Sequence, residues 1–172
     1  MIEINNARGV IFDLDGTLVS STLDFALIRQ QIGCPENTDL LSFIDAMPIE
    51  SERDQAAQIV LQHELDDARN ATWLSGAREF VSRLVQQQLP MAIVTRNCIQ
   101  ATAIKLHNNQ VPIDLVITRE DAPAKPQPDA LLMVAQEWQL PPEQLLYVGD
   151  YVYDELAAQN AGMPFQYSPF GT

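Results

Sequence analysis

Basic residues are scarce in this chain of 172 residues: ten Lys and Arg face 23 Asp and Glu, for a net charge of -13. A surface so acidic repels phosphate backbones, so no nucleic-acid partner is expected. A small anion stays within reach only where a local cation and a metal reverse the field. No apolar run approaches the roughly 18 residues a membrane-spanning helix needs, so no membrane partner is expected either. The first residues, Met1 to Arg8, are polar and mixed, unlike a secretory leader, which points to a cytoplasmic protein. Cysteine is limited to Cys34 and Cys98, which match no metal spacing. Two free thiols in a reducing compartment are expected, with Cys98 a buried one. His63 and His107 fall in helical patterns without partners at ligand spacing. What the chain does have is a hydrophobic content of 47%, enough for the core of one domain carrying a modest insertion.

The apolar residues fall into two textures. Val10-Ile11-Phe12 reads as a buried strand running into Asp13-Leu14-Asp15-Gly16. From Val19 to Ser75 no strand signal occurs. Asp24 opens a helix through Leu27, Ile28 and Gln31 that stops near Gly33 and Pro35. Thr38 and Asp39 open a second, short helix. Ser51 and Asp54 suggest a capping pair for a long polar helix that reaches toward Trp73, its charged residues forming a solvated face. From Gly76 onward helices alternate with short apolar runs: Met91–Val94, Leu115–Ile117, Leu145–Val148 and Phe165–Tyr167. Continuous apolar strands alternating with helices predict an α/β, Rossmann-like parallel sheet covered on both faces. The expected division is a core of residues 1–18 and 76–172 with a small all-helical cap, 19–75, inserted after the first strand.

Ligands of open parallel sheets bind beyond the carboxyl ends of the strands. There this sequence delivers Asp13 and Asp15, then Thr95, Arg96 and Asn97, then Thr118 to Asp121 followed by Lys125, then Gly149, Asp150 and Asp154. Each residue alone has an ordinary alternative: Thr95 and Asp150 as helix caps, Lys125 as a solvated loop lysine, Asp154 as a surface acid. Four strand ends supplying one complementary set favour a site. Asp13 and Asp15, two apart along an extended chain, point the same way, and a divalent cation would offset their repulsion.

Asp13-Leu14-Asp15-Gly16-Thr17, Thr95, Lys125 in Ala124-Lys125-Pro126, and Gly149-Asp150 with Asp154 resemble, in order, the four motifs of the haloacid dehalogenase-like hydrolases. The likeness lies on the phosphatase side, with the phosphoglycolate-phosphatase-like group. Arg119-Glu120-Asp121-Ala122-Pro123-Ala124-Lys125-Pro126 and Gly149-Asp150-Tyr151 are similar to a small-cap branch.

This resemblance implies Asp13 as nucleophile, forming an aspartyl-phosphate, and Asp15 as the acid and base. It implies Thr95 and Lys125 at the phosphate, and Mg²⁺ held by Asp13, the Asp15 carbonyl and Asp150. Asp154 would orient Lys125 or a metal-bound water. Arg96 and Asn97 are candidates for substrate contact, with Arg96 expected to pair with Glu120 or Asp121; Ser20, Ser21 and Arg29 are weaker candidates. The implied partner is a small phosphorylated metabolite, and the short cap implies an open pocket. Two rivals share the site's parts. A phosphomutase or phosphotransferase would pass the phosphoryl group to a second substrate. A phosphoacceptor signalling domain would carry its phosphorylated Asp on a later strand.

Overall fold

A computed structural model describes residues 1–171. Five parallel strands form one sheet in the order β3-β2-β1-β4-β5: β1 Gly9–Phe12, β2 Met91–Val94, β3 Leu115–Ile117, β4 Leu145–Gly149 and β5 Phe165–Tyr167. The first strand lies at the centre, paired with β2 on one side and β4 on the other. Alternation along each strand sorts the apolar residues between two layers. Val10, Phe12, Ile93, Leu146 and Val148 meet Phe80, Val81 and Leu84 of helix α4, Ala77–Gln86. Ile11, Ala92, Val94, Leu145 and Tyr147 meet α6, Asp129–Glu137, and α7, Val152–Ala161. Burial on both faces explains why the strands read as unbroken apolar runs.

Between β1 and α4 the chain forms α1 Phe25–Ile32, α2 Leu40–Asp45 and α3 Glu50–Asn70. Asp24 and Asp39 cap α1 and α2 through the backbone N–H groups of Leu27 and Ser42. Gly33 ends α1 at a φ of 80°, a conformation a Cβ disfavours. Ile28, Cys34, Leu40, Ile44, Ala56 and Val60 give these helices an apolar cluster of their own.

Two sequence expectations fail in α3. Its N-cap is Ile49, with no side-chain bond from Ser51 or Asp54, and the helix begins earlier than that pair suggests. Its charged residues do not all face solvent. Glu64 and Asp67 are buried, at i+4 and i+7 from buried Val60, on the stripe that packs against α5, Ile99–Asn108. Leu61, Leu65 and Ala68 of α3 pack there against Cys98, Ala101 and Ile104.

Candidate active site

The order of strands reverses between β1 and β4, and the carboxyl ends of those two strands open the crevice where ligands of such sheets bind. Asp13 leaves β1 there, its N–H donating to the Val148 carbonyl at 2.9 Å. Asp150 follows β4, and the Thr17 hydroxyl donates to its Oδ1 at 3.2 Å. Gly16 makes this approach possible. A Cβ there would collide with the Asp150 carboxylate, and its φ of +75° already favours glycine. Gly149 is as constrained: a Cβ would sit 2.5 Å from Asp154.

Lys125 lies at the centre, 3% exposed. Its Nζ offers three N–H donors to four oxygens within reach: Asp13 Oδ1 at 2.8 Å, Asp154 Oδ1 at 2.6 Å, the Val94 carbonyl at 3.1 Å and the Tyr147 hydroxyl at 2.8 Å. Tyr147 in turn donates to Asp154 Oδ1 at 2.6 Å. Asp154 Oδ2 accepts the N–H groups of Asp150 and Tyr151, both at 3.1 Å. Asp154 is therefore fully occupied. It anchors Lys125 and the start of α7, whereas Asp13 and Asp150 keep oxygen atoms free.

Carboxylate oxygens of Asp13, Asp150 and Asp154 lie within 4.8 Å of one another. Three carboxylates around one ammonium leave surplus negative charge. Burial, with Asp154 and Asp150 adding to it, pushes the Asp13 carboxyl well above its ordinary range despite the pull of Lys125. Burial works against the Lys125 ammonium, but Asp13 and Asp154 outweigh it and hold the group charged. An oxygen-only donor set with excess negative charge fits a hard divalent cation.

The two carboxylates of the first loop part company, contrary to the expectation that they converge. Asp15 points away from the acidic cluster, its Oδ2 accepting from Asn97 Nδ2 at 2.5 Å and its Oδ1 from Lys105 Nζ at 2.6 Å. Burial raises the Asp15 carboxyl above its ordinary value even so. Thr95 is buried at the end of β2, where its Oγ1 accepts from the N–H of Asn97 at 3.1 Å. It does not cap α5; Cys98 does, through the N–H of Ala101. Asp150 does not cap α7, whose N-cap is Tyr151.

Arg96 does not make the pairing its near neighbours suggest. It pairs with Asp39 at 2.6 Å rather than with Glu120 or Asp121, donates to the Lys125 carbonyl and lies over the Tyr153 ring at 4.8 Å. Glu120 instead accepts from the Ile99 N–H, and Asp121 from the Thr118 N–H. The weaker candidates are occupied as well. Ser20 accepts from the Thr72 N–H, Ser21 donates to Asp67, and Arg29 donates to the carbonyls of Pro35 and Thr38.

Sequence reasoning missed Tyr147, Lys105 and Asp67. A tyrosine inside a buried strand needs a partner for its hydroxyl, and that signal was present. Lys105 stands four residues after Ala101, on the apolar stripe of α5.

Cys98 is inert by its surroundings. Burial pushes its thiol up to about 11, with Glu64 adding to the effect. At pH 8 the folded protein should leave Cys98 unmodified by a thiol reagent that labels it fully in denaturant; equal labelling rates would contradict this.

A family model described as "Haloacid dehalogenase-like hydrolase" matches residues 10–167. A haloacid dehalogenase-like hydrolase domain-containing protein of Arabidopsis thaliana is 29% identical over 87% of this chain, which spans 65% of that protein's length. The phosphoglycolate phosphatase of Pectobacterium atrosepticum is 30% identical, over 94% of this chain and 80% of its own. The fold is similar to that of a hydrolase from Pseudomonas syringae, with a TM-score of 0.75 at 24% identity over 92% of this chain and 82% of that one.

Proposed function

The chain belongs to the haloacid dehalogenase-like hydrolase family, and from that premise we propose that it is a Mg²⁺-dependent phosphatase of small phosphate monoesters, working through an aspartyl-phosphate on Asp13. The observation that carries this reading is the bond from Lys125 to Asp13 within an acidic cluster at the carboxyl end of the central strand. Similarity to phosphoglycolate phosphatases favours esters of that small, anionic class.

Asp13 and Asp150, with the main-chain carbonyl of Asp15, would hold the Mg²⁺. Bound there, the ion supplies charge neutralisation at the phosphoryl oxygens. The chain's own groups do the rest. Asp13 attacks phosphorus, and its weak nucleophilicity is met by positioning. Lys125 holds the Asp13 carboxylate and offsets charge that develops in transfer. Asp15 gives its proton to the leaving alkoxide and then takes one from the water that cleaves the aspartyl-phosphate. Thr95 hydrogen-bonds a phosphoryl oxygen.

The signalling alternative is disfavoured by topology. Doubly wound receivers place the first strand next to the sheet edge, whereas here it is central and carries Asp13. A phosphotransferase would need water kept from the aspartyl-phosphate, and nothing in the site's geometry favours that.

The test is release of inorganic phosphate from a panel of small phosphate monoesters, with Mg²⁺ and with EDTA. Mg²⁺-dependent release from several esters is expected; absence of release from all of them would refute the reading. In the same panel Asp15→Asn should slow alkyl esters by about 10²–10⁴-fold and p-nitrophenyl phosphate far less in kcat/KM, because only the poor leaving group needs the proton.

A further inference from the structure

Lys105 is a buried ammonium that hydrolysis, as described above, does not use. Its side chain is 0% exposed, and its Nζ bridges Asp15 Oδ1 at 2.6 Å and Asp67 Oδ2 at 2.9 Å. Asp67 is itself held on every side. Its Oδ1 accepts the Thr22 N–H at 2.6 Å and the Thr22 hydroxyl at 3.2 Å, and its Oδ2 accepts the Ser21 hydroxyl at 3.0 Å. The chain of contacts thus runs from α3 and the segment before α1, through α5, to Asp15, the member that reaches the crevice.

Packing alone does not require this arrangement. α3 already seats on α5 through Leu61, Leu65, Ala68, Cys98, Ala101 and Ile104. An apolar side chain at 105 facing an apolar one at 67 would complete that seam without desolvating the charges of Lys105 and Asp67. The ion network does what apolar packing cannot. Lys105 and Asn97 each take one oxygen of Asp15, which fixes the carboxyl plane. When Asp15 takes up a proton during turnover, Asp67 still balances Lys105.

We propose that Lys105 and Asp67 are positioning residues that aim the Asp15 carboxyl for proton transfer, so that the seating of α3 on α5 and a working proton carrier are one condition. This rests on the reading of Asp15 as acid and base. In the first step a bond forms between Asp13 Oδ and phosphorus, the bond from phosphorus to the leaving oxygen breaks, and the Asp15 proton goes to that oxygen. In the second, water oxygen bonds to phosphorus, the bond between phosphorus and Asp13 Oδ breaks to free the carboxylate, and the water proton goes to Asp15. Misaiming Asp15 slows the first step only for poor leaving groups, but slows the second for every ester.

The test compares Lys105→Met/Asp67→Asn, which removes both charges together, with Asp15→Asn and wild type, using β-glycerophosphate and p-nitrophenyl phosphate with Mg²⁺. The double variant should lose about 10²-fold in kcat/KM on β-glycerophosphate and less than about threefold on p-nitrophenyl phosphate. On p-nitrophenyl phosphate kcat and KM should fall together, because water attack on the aspartyl-phosphate has become slow. Equal losses on both esters, or none, with Asp15→Asn still discriminating between them, overturn the positioning role alone. Absence of discrimination in Asp15→Asn itself overturns the proton-carrier reading beneath it. If circular dichroism shows the double variant unfolded, Asp67→Asn decides. It keeps the bond from Lys105 to Asp15 and should show the same bias between esters at about the tenfold level; an unbiased Asp67→Asn overturns the proposal.

Discussion

Asp13→Asn should lose hydrolysis by at least on the order of 10⁴-fold, because the amide cannot form the aspartyl-phosphate, while the protein melts no lower than wild type in EDTA. The second half of this expectation follows from the site's charge. Burial holds the Asp13 carboxyl well above its ordinary value, with Asp154 and Asp150 opposing Lys125. A carboxyl raised on folding binds its proton more tightly in the native state. Its contribution is favourable below the unfolded pKa, near pH 4, and is lost as pH rises toward the native value. Above the unfolded pKa the buried Asp13 carboxyl therefore costs the metal-free wild type stability that Asn does not cost. Melting curves from about pH 4 to pH 8 should show the variant's advantage growing with pH. Added Mg²⁺ should raise the wild-type melting temperature and raise that of Asp13→Asn less, since a ligand stabilises only the state that binds it. A variant that is inactive because it is misfolded would melt lower at every pH, which separates loss of chemistry from loss of structure.

The same residues show what a sequence can display. Asp13, Thr95, Lys125 and Asp150 were legible because each follows a strand, and a parallel sheet gathers strand ends at one rim. The strands were legible because burial on both faces leaves unbroken apolar runs such as Val10 to Phe12. The side-chain partners were not. Arg96 finds Asp39, Lys105 finds Asp67 and Arg119 finds Glu64, each partner lying in α3 or at the start of α2, far along the chain. Periodicity along one helix does not say which distant helix it will meet. In α3, acids that seat against α5 look like acids that face water, because Glu64 and Asp67 are neutralised by residues far along the chain. Near neighbours were no safer guide for Arg96. Glu120 and Asp121 are spent on the N–H groups of Ile99 and Thr118, which leaves the guanidinium to Asp39.

Lys125→Met should remove both stability and turnover, and the two losses should be separable. Lys125 is the counter-charge for Asp13 and Asp154, all three side chains being at most 11% exposed. Methionine matches the length of the stem but leaves two buried carboxylates without a cation. Breaking a buried ion pair from one side costs about 3–5 kcal/mol. Turnover should fall by about 10³–10⁵-fold, the scale of removing a cationic clamp from phosphoryl transfer, since Asp13 also loses the partner that keeps it ionised. Arginine is not a conservative rescue. Its planar fork cannot take the place of one ammonium that meets Asp13, Asp154, the Val94 carbonyl and the Tyr147 hydroxyl within 3.1 Å. The informative partner is Lys125→Met/Asp154→Asn. The amide that replaces the Asp154 carboxylate would keep an oxygen for the N–H groups of Asp150 and Tyr151 while removing one of the stranded charges, so part of the stability should return. Activity should not return with it, because the phosphoryl group still meets no ammonium. Denaturant midpoints and phosphate release on the same three proteins check both halves: recovery of activity along with stability would mean that Lys125 acts only by holding the fold together.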